Sequence, residues 1–93
     1  MTDTQKAYEE KMRAQIDELD AKIELLRSKA RSASADAQAE FSKRANEMEA
    51  KAGAVRAQLK ELVNASEEKW QEMKAGVEDA YNQFKKELDE ATK

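Results

Sequence analysis

The sequence predicts an all-α protein: long amphipathic helices forming an antiparallel coiled coil or a three-helix bundle, and an oligomeric one. Three observations carry that reading. Ala, Glu, Lys, Leu and Arg supply 54 of the 93 residues, above the half-share that marks long helices and coiled coils. Proline is absent and the two glycines are Gly53 and Gly76, so the usual punctuation of turns is missing. Only three valines and two isoleucines are present, and apolar residues recur every three or four positions, which is the period of a helix and not of a strand.

The first helix has a start signal at Thr2-Asp3-Thr4-Gln5, with Thr2 as N-cap and Gln5 in the capping-box position. Its seam runs Met12, Ile16, Leu19, Ile23, Leu26, Ala30, Ala33 and Ala37. The alternating steps make a heptad register with Ile16 and Ile23 at a, Leu19 and Leu26 at d. Tyr8 extends the seam one turn earlier, and Leu25 widens it at one point.

After Leu26 the seam thins to alanine, and Arg31-Ser32-Ala33-Ser34-Ala35-Asp36-Ala37 holds no bulky apolar group. Two readings compete there. Alanine is the best helix former, so the helix can run straight through. Alternatively the chain turns at 32–35, with Ser34 and Asp36 capping a new helix. With neither Gly nor Pro at the spot, the continuous helix is preferred.

The heptad resumes at Phe41, Ala45, Met48, Ala52, Val55, Leu59 and Leu62, and its small residues suit the close approach of an antiparallel partner. Asn64-Ala65-Ser66-Glu67-Glu68 is the other candidate break. Asn64 can adopt the left-handed conformation that ends a helix, Ser66 before two glutamates is a good helix start, and Asn64 with Glu67 also fits a capping box. Against a break, the apolar stripe passes through Ser66 in phase. With both breaks the chain divides into helices at about 3–31, 35–63 and 66–92, the geometry of a three-helix bundle.

The last segment is the richest in apolar surface. Leu59, Leu62, Ser66, Trp70, Met73, Val77, Tyr81, Phe84 and Leu88 follow an eleven-residue repeat, about 3.67 residues per turn. The chain thus reads as one domain over 1–93, with a heptad segment at 5–63 and an eleven-residue-repeat segment at 59–92. Its core or interface residues are Met12, Ile16, Leu19, Ile23, Leu26, Phe41, Met48, Val55, Leu59, Leu62, Trp70, Met73, Val77, Tyr81, Phe84 and Leu88. Gly76, with Ala80 one turn on, and Gly53 on its alanine-rich flank are either places where another helix approaches closely or ordinary surface glycines.

Charge is plentiful but balanced. Residues 1–31 carry seven basic and seven acidic groups and 32–63 carry five of each, so the excess of acid in 64–93 supplies the whole net charge of −3. No basic stripe for nucleic acid is present. Glu9–Arg13, Glu18–Lys22, Glu40–Arg44, Glu47–Lys51 and Asp89–Lys93 place acid four residues before base and support a solvated helix face. Without Cys or His, thiolate sites, disulfides and the commonest base and metal ligand are excluded. The adjacent carboxylates Glu9-Glu10, Glu67-Glu68 and Glu78-Asp79 point about 100° apart on a helix and make no facing dyad. No catalytic, cofactor or metal site is expected. No apolar run reaches the ~20 residues of a membrane span, and Met1-Thr2-Asp3-Thr4 lacks the features of a signal peptide. A cytoplasmic protein is the expectation.

Trp70-Gln71-Glu72-Met73-Lys74-Ala75-Gly76-Val77-Glu78-Asp79-Ala80-Tyr81 resembles a segment of a group of small, uncharacterised bacterial coiled-coil proteins, W-x-x-[LM]-K-x-G-[VM]-E-x-A-[WY] following a charged Ala/Glu/Lys-rich helix. Tyr8-Glu9-Glu10-Lys11-Met12 with Ile16-Asp17-Glu18-Leu19 resembles the N-terminal half of the same group. The likeness covers most of the chain and implies a coiled-coil fold and bacterial origin, not a chemistry. It departs at Ser66-Glu67, where relatives are expected to carry a glycine beside the serine, and that weakens the case for a sharp turn. The eleven-residue period is also similar to that of exchangeable apolipoproteins and desiccation-protective helical proteins.

The function expected from these features is a non-enzymatic structural or scaffolding protein that self-associates through its apolar stripe. Its partner would be its own chain, as dimer or tetramer, or another helical protein. An amphipathic helix that orders on a lipid or granule surface, in the manner of apolipoproteins or phasins, is the alternative, resting on Trp70 to Leu88. The net acid of that segment disfavours anionic membranes. A stress-protective chain, disordered when hydrated, is a third reading, which the bulky seam from Ile16 to Leu26 opposes.

Overall fold

A computed structural model describes residues 2–93. Chain direction is set at the start by the capping box: the Gln5 amide donates to Thr2 Oγ1 at 3.1 Å and the Thr2 amide donates to Gln5 Oε1 at 3.2 Å. Two of the amides orphaned by a helix N-terminus are satisfied in this way. Helix α1 then runs over Asp3–Ser32, α2 over Ala35–Val63 and α3 over Glu67–Ala91. Among the described residues there is no strand.

The chain turns at both candidate breaks. At the first, Ala33 and Ser34 are extended, with ψ of 165° and 162°, so the continuous helix preferred from sequence does not form. The reason is packing: a straight helix through 32–35 leaves the seams of α1 and α2 facing water, whereas a two-residue corner folds them onto each other. Ser34 is the N-cap residue of α2, but its side chain makes no capping bond. At the second break Asn64 has φ −98° and ψ 1°, not the left-handed conformation expected of it, and its amide bonds back to the Glu61 and Leu62 carbonyls. Ser66, not Asn64, is the N-cap of α3, again without a side-chain bond, so the Asn64–Glu67 capping box is absent. The turn forms without the glycine expected in relatives, because no residue among those described needs positive φ.

The helices lie up, down and up. Arg56 of α2 reaches back to Asp17 and Asp20 of α1, while Arg27, further along α1, reaches Glu49, earlier in α2; the opposed order makes α1 and α2 antiparallel. Tyr8 meets Glu78 and Lys22 meets Asp89, so α1 and α3 are parallel. The molecule measures 51 × 18 × 18 Å, close to the ~45 Å of a thirty-residue helix with its corners. Its radius of gyration of 15.4 Å exceeds the roughly 12 Å of a compact domain this long. The molecule is a rod one bundle wide.

The core is a single apolar cluster down the axis: Met12, Ile16, Leu19, Ile23 and Leu26 from α1; Ala45, Met48, Ala52, Val55, Leu59 and Leu62 from α2; Trp70, Val77, Phe84 and Leu88 from α3. Alanine at 45 and 52 lets α1 and α2 approach closely, and the larger α3 side chains fill the third edge. Leu25 does not widen the seam: it is 57 % exposed, the one large hydrophobic left in water among the described residues.

Candidate functional site

The helix seam is the only extended feature in which the sequence-predicted residues meet. Of the sixteen predicted, Phe41, Met73 and Tyr81 are partly buried and pack against the cluster, and the others are buried in it. Within α3 the buried Trp70, Val77 and Phe84 stand seven apart. Leu88 is fully buried too, eleven residues after Val77, and Met73 and Tyr81 pack against the cluster. The eleven-residue set therefore lines the core of α3, and the same step recurs in the passage from Leu59 through Ser66 to Trp70. In coiled-coil terms that passage is one stutter. Ser66 itself is exposed.

Ion pairs border the seam. Glu9–Arg13 and Glu40–Arg44 form within their helices at 2.9 and 3.2 Å. Lys22 and Lys51 leave the same-helix partners expected of them and pair across the bundle. Lys22 meets Asp89 at 2.8 Å, Lys51 meets Glu87, Arg27 meets Glu49 at 2.6 Å, and Arg56 bridges Asp17 at 2.7 Å and Asp20. The hydrogen bond from Lys22, with its charge close by, holds the Asp89 carboxyl below its ordinary range. Exposed pairs of this kind contribute about 0–1 kcal/mol each, so they set register more than stability.

At the end of the rod where α1 begins, Tyr8 and Trp70 pack edge to face, and the Lys74 ammonium lies 5.0 Å from the Tyr8 ring centre and 5.7 Å from that of Trp70. The Tyr8 hydroxyl donates to Glu78 at 3.3 Å. Burial, then the Glu78 charge and this bond, push the Tyr8 phenol up to about 12. Burial likewise raises Tyr81. Trp70 is 5 % exposed, and its buried indole N–H has no partner. Sequence reasoning placed Tyr8 only as an extension of the seam. Lys74 and Glu78 flank the stripe at helical spacing from Trp70, which was the available signal for this cluster.

Shallow grooves lie between neighbouring helices. The most apolar runs between α2 and α3 beside Ala54, Val55, Ala80 and Phe84, closed at one side by Lys51 and Glu87. No helix overlies Gly53 or Gly76: a Cβ built at either meets nothing within 4 Å. They are surface glycines, and the reading as close-approach points is set aside for this fold. Among the described residues no group of His, Cys, Asp or Glu is gathered to hold a metal, and no helix is long and apolar enough to cross a membrane.

No family model matches the chain, and neither a curated protein nor a solved structure matches it.

Proposed function

We propose that the chain is a non-enzymatic structural module that self-associates through its apolar stripe, a scaffold of the cytoplasm. The observation that carries this is the allocation of side chains. From Met12 to Leu88 the large apolar groups are given over to helix–helix contact along one seam, apart from the exposed Leu25 and the half-buried Val63 at the end of α2. The seam is flanked by charge pairs that specify which helix lies beside which. Contacts of this type close equally well within one chain or between two, since the side chains and their spacing are the same. Sedimentation velocity over a wide concentration range tests the reading. The expected result is a concentration-dependent, elongated dimer or tetramer; a monomer at every concentration overturns it.

The second reading is docking on a lipid or granule surface through Trp70, Met73, Val77, Tyr81, Phe84 and Leu88. What favours it is that these residues lie on the last helix, which one corner joins to the rest and whose backbone approaches α1 less closely than that of α2 does. Flotation with neutral and with anionic vesicles tests it, and protein left entirely at the bottom of both gradients ends it.

A further inference from the structure

The turn at 64–66 leaves a feature that the closed bundle does not use. A three-residue corner frees α3 to begin at any rotational phase, yet the stripe crosses it in register. Leu59 and Trp70 stand eleven residues apart, as do Leu62 and Met73, and eleven residues are three turns of a helix to within about 20°. If 35–91 were one helix, the buried face of α2 and the buried face of α3 would form a single stripe interrupted only at Ser66.

Local chemistry points the same way. The corner holds neither Gly nor Pro. Asn64, at φ −98° and ψ 1°, lies in the bridge region next to the helical one, and its amide still bonds to the Glu61 and Leu62 carbonyls. The Ser66 hydroxyl makes no cap bond that straightening would lose. The other corner differs: Ala33 and Ser34 are both extended, and the residues around them carry only an alanine seam, out of heptad step.

Resting on the self-association reading, we propose that two copies of this chain associate by exchanging α3, with Ala65 and Ser66 turning helical so that α2 and α3 become one continuous helix. Two such helices then lie antiparallel about a two-fold axis. The α3 of each chain packs on α1 and α2 of the other through the contacts it makes in the closed bundle. A straight helix in that arrangement must present its α2 and α3 faces to the same side, and the unbroken phase through Ser66 meets that requirement. The exchanged dimer is on the order of 100 Å long, twice the closed rod, from the 1.5 Å helical rise.

Two sets of variants test this. Glu67→Pro places proline at the first position of α3, where the closed bundle accepts it. Ser66 before it is extended, at φ −67° and ψ 159°, and the position needs no N–H. In a continuous helix the same proline breaks a bond and clashes with the preceding turn. The expected result is a helical monomer at concentrations where the parent chain is dimeric. The second set is a pair of full-length chains, one carrying Lys22→Glu and Lys51→Glu, the other Glu87→Lys and Asp89→Lys. Alone, each chain places like charges between α3 and its own neighbours, whether closed or exchanged with itself. Mixed, exchange restores both ion pairs in both directions, so native mass spectrometry is expected to show heterodimers above the statistical share. A statistical mixture, or a Glu67→Pro protein that still dimerises, overturns exchange while leaving self-association standing; a parent chain that is always monomeric overturns both.

Discussion

Tyr8 and Trp70, 62 residues apart in the sequence, meet edge to face with ring centres 5.4 Å apart and planes inclined at 71°. That geometry sets the positive edge of one ring against the negative face of the other. With Lys74 beside both rings and Glu78 on the Tyr8 hydroxyl, the contact fastens the first turns of α1 to the first turns of α3. It is the aromatic contact between the two helices whose backbones approach each other least.

Trp70 is the anchor of that contact, and its two halves have opposite value. Its ring fills the end of the core, while its indole N–H is buried without a partner, which costs about 1–3 kcal/mol. Trp70→Ala is expected to lose about 3–5 kcal/mol, whereas Trp70→Phe keeps the apolar contact, removes the orphaned donor and loses much less. Urea unfolding followed by circular dichroism measures both. Equal losses in the two variants would show that the ring's packing is not what holds this end.

Tyr8 carries a pH signature. Its phenol is raised to about 12 from the ordinary 10.0, first by burial and then by Glu78, so the folded state holds the proton more tightly than the unfolded chain. Stability from this group is complete below pH 10.0 and is lost as pH climbs toward about 12. Tyr81 is raised too, again chiefly by burial, and adds to the same alkaline loss. Spectroscopic titration should show tyrosinate forming late in the folded protein, and Tyr8→Phe should flatten the fall in melting temperature above pH 10.0. Two tyrosines that ionise as free phenols would sink this assignment.

Gly53 and Gly76 sit inside helices with open space where a Cβ would go. Glycine in a helix interior costs about 0.5–1 kcal/mol relative to alanine. Gly53→Ala and Gly76→Ala are each expected to raise stability by about that much, or a few degrees in Tm for a domain of this size. They lie on different helices, α2 and α3, so the double variant should add the two gains. A loss at either position would mean that another molecule occupies that face in solution, and sedimentation of the variant would reveal it.

The seam was legible because heptad spacing is a local rule that the bundle obeys: the residues from Met12 to Leu26 and from Met48 to Leu62 stand where the spacing puts them. The corner at Ala33-Ser34 was legible as a place, within the candidate turn at 32–35, but not as the outcome. Helix propensity there favours continuity, and what overrides it is the burial of two seams thirty residues apart, which no local window contains. The partners of Lys22, Lys51 and Arg56 were hidden for the same reason. Pairing at i, i+4 sees only one helix, while the bundle sets acids of another helix within reach of each. The eleven-residue pattern was legible as well: Trp70, Val77, Phe84 and Leu88 are buried and Met73 and Tyr81 pack against them, because a helix lying against two neighbours buries a broad face and not a single heptad line.

Leu25 and Leu26 give the sharpest test of the bundle, because they are adjacent, chemically identical and oppositely placed. Leu26 is fully buried, and Leu25 is 57 % exposed. Truncating a buried leucine removes its transfer energy and leaves a cavity, about 2–5 kcal/mol together; truncating an exposed one on a helix changes little, since alanine is the better helix former. Leu26→Ala is therefore expected to lower the urea midpoint strongly, with Leu19→Ala and Leu59→Ala behaving alike, and Leu25→Ala to leave it within about 0.5 kcal/mol. The contrast also separates closed from extended forms. In an isolated single helix neither leucine has a neighbour and both substitutions are mild. In an assembly that covers the outer face of α1, Leu25→Ala becomes costly and its cost grows with protein concentration. A large effect at 26 with none at 25 is the pattern that the three-helix packing requires, whether α3 comes from the same chain or from a second copy.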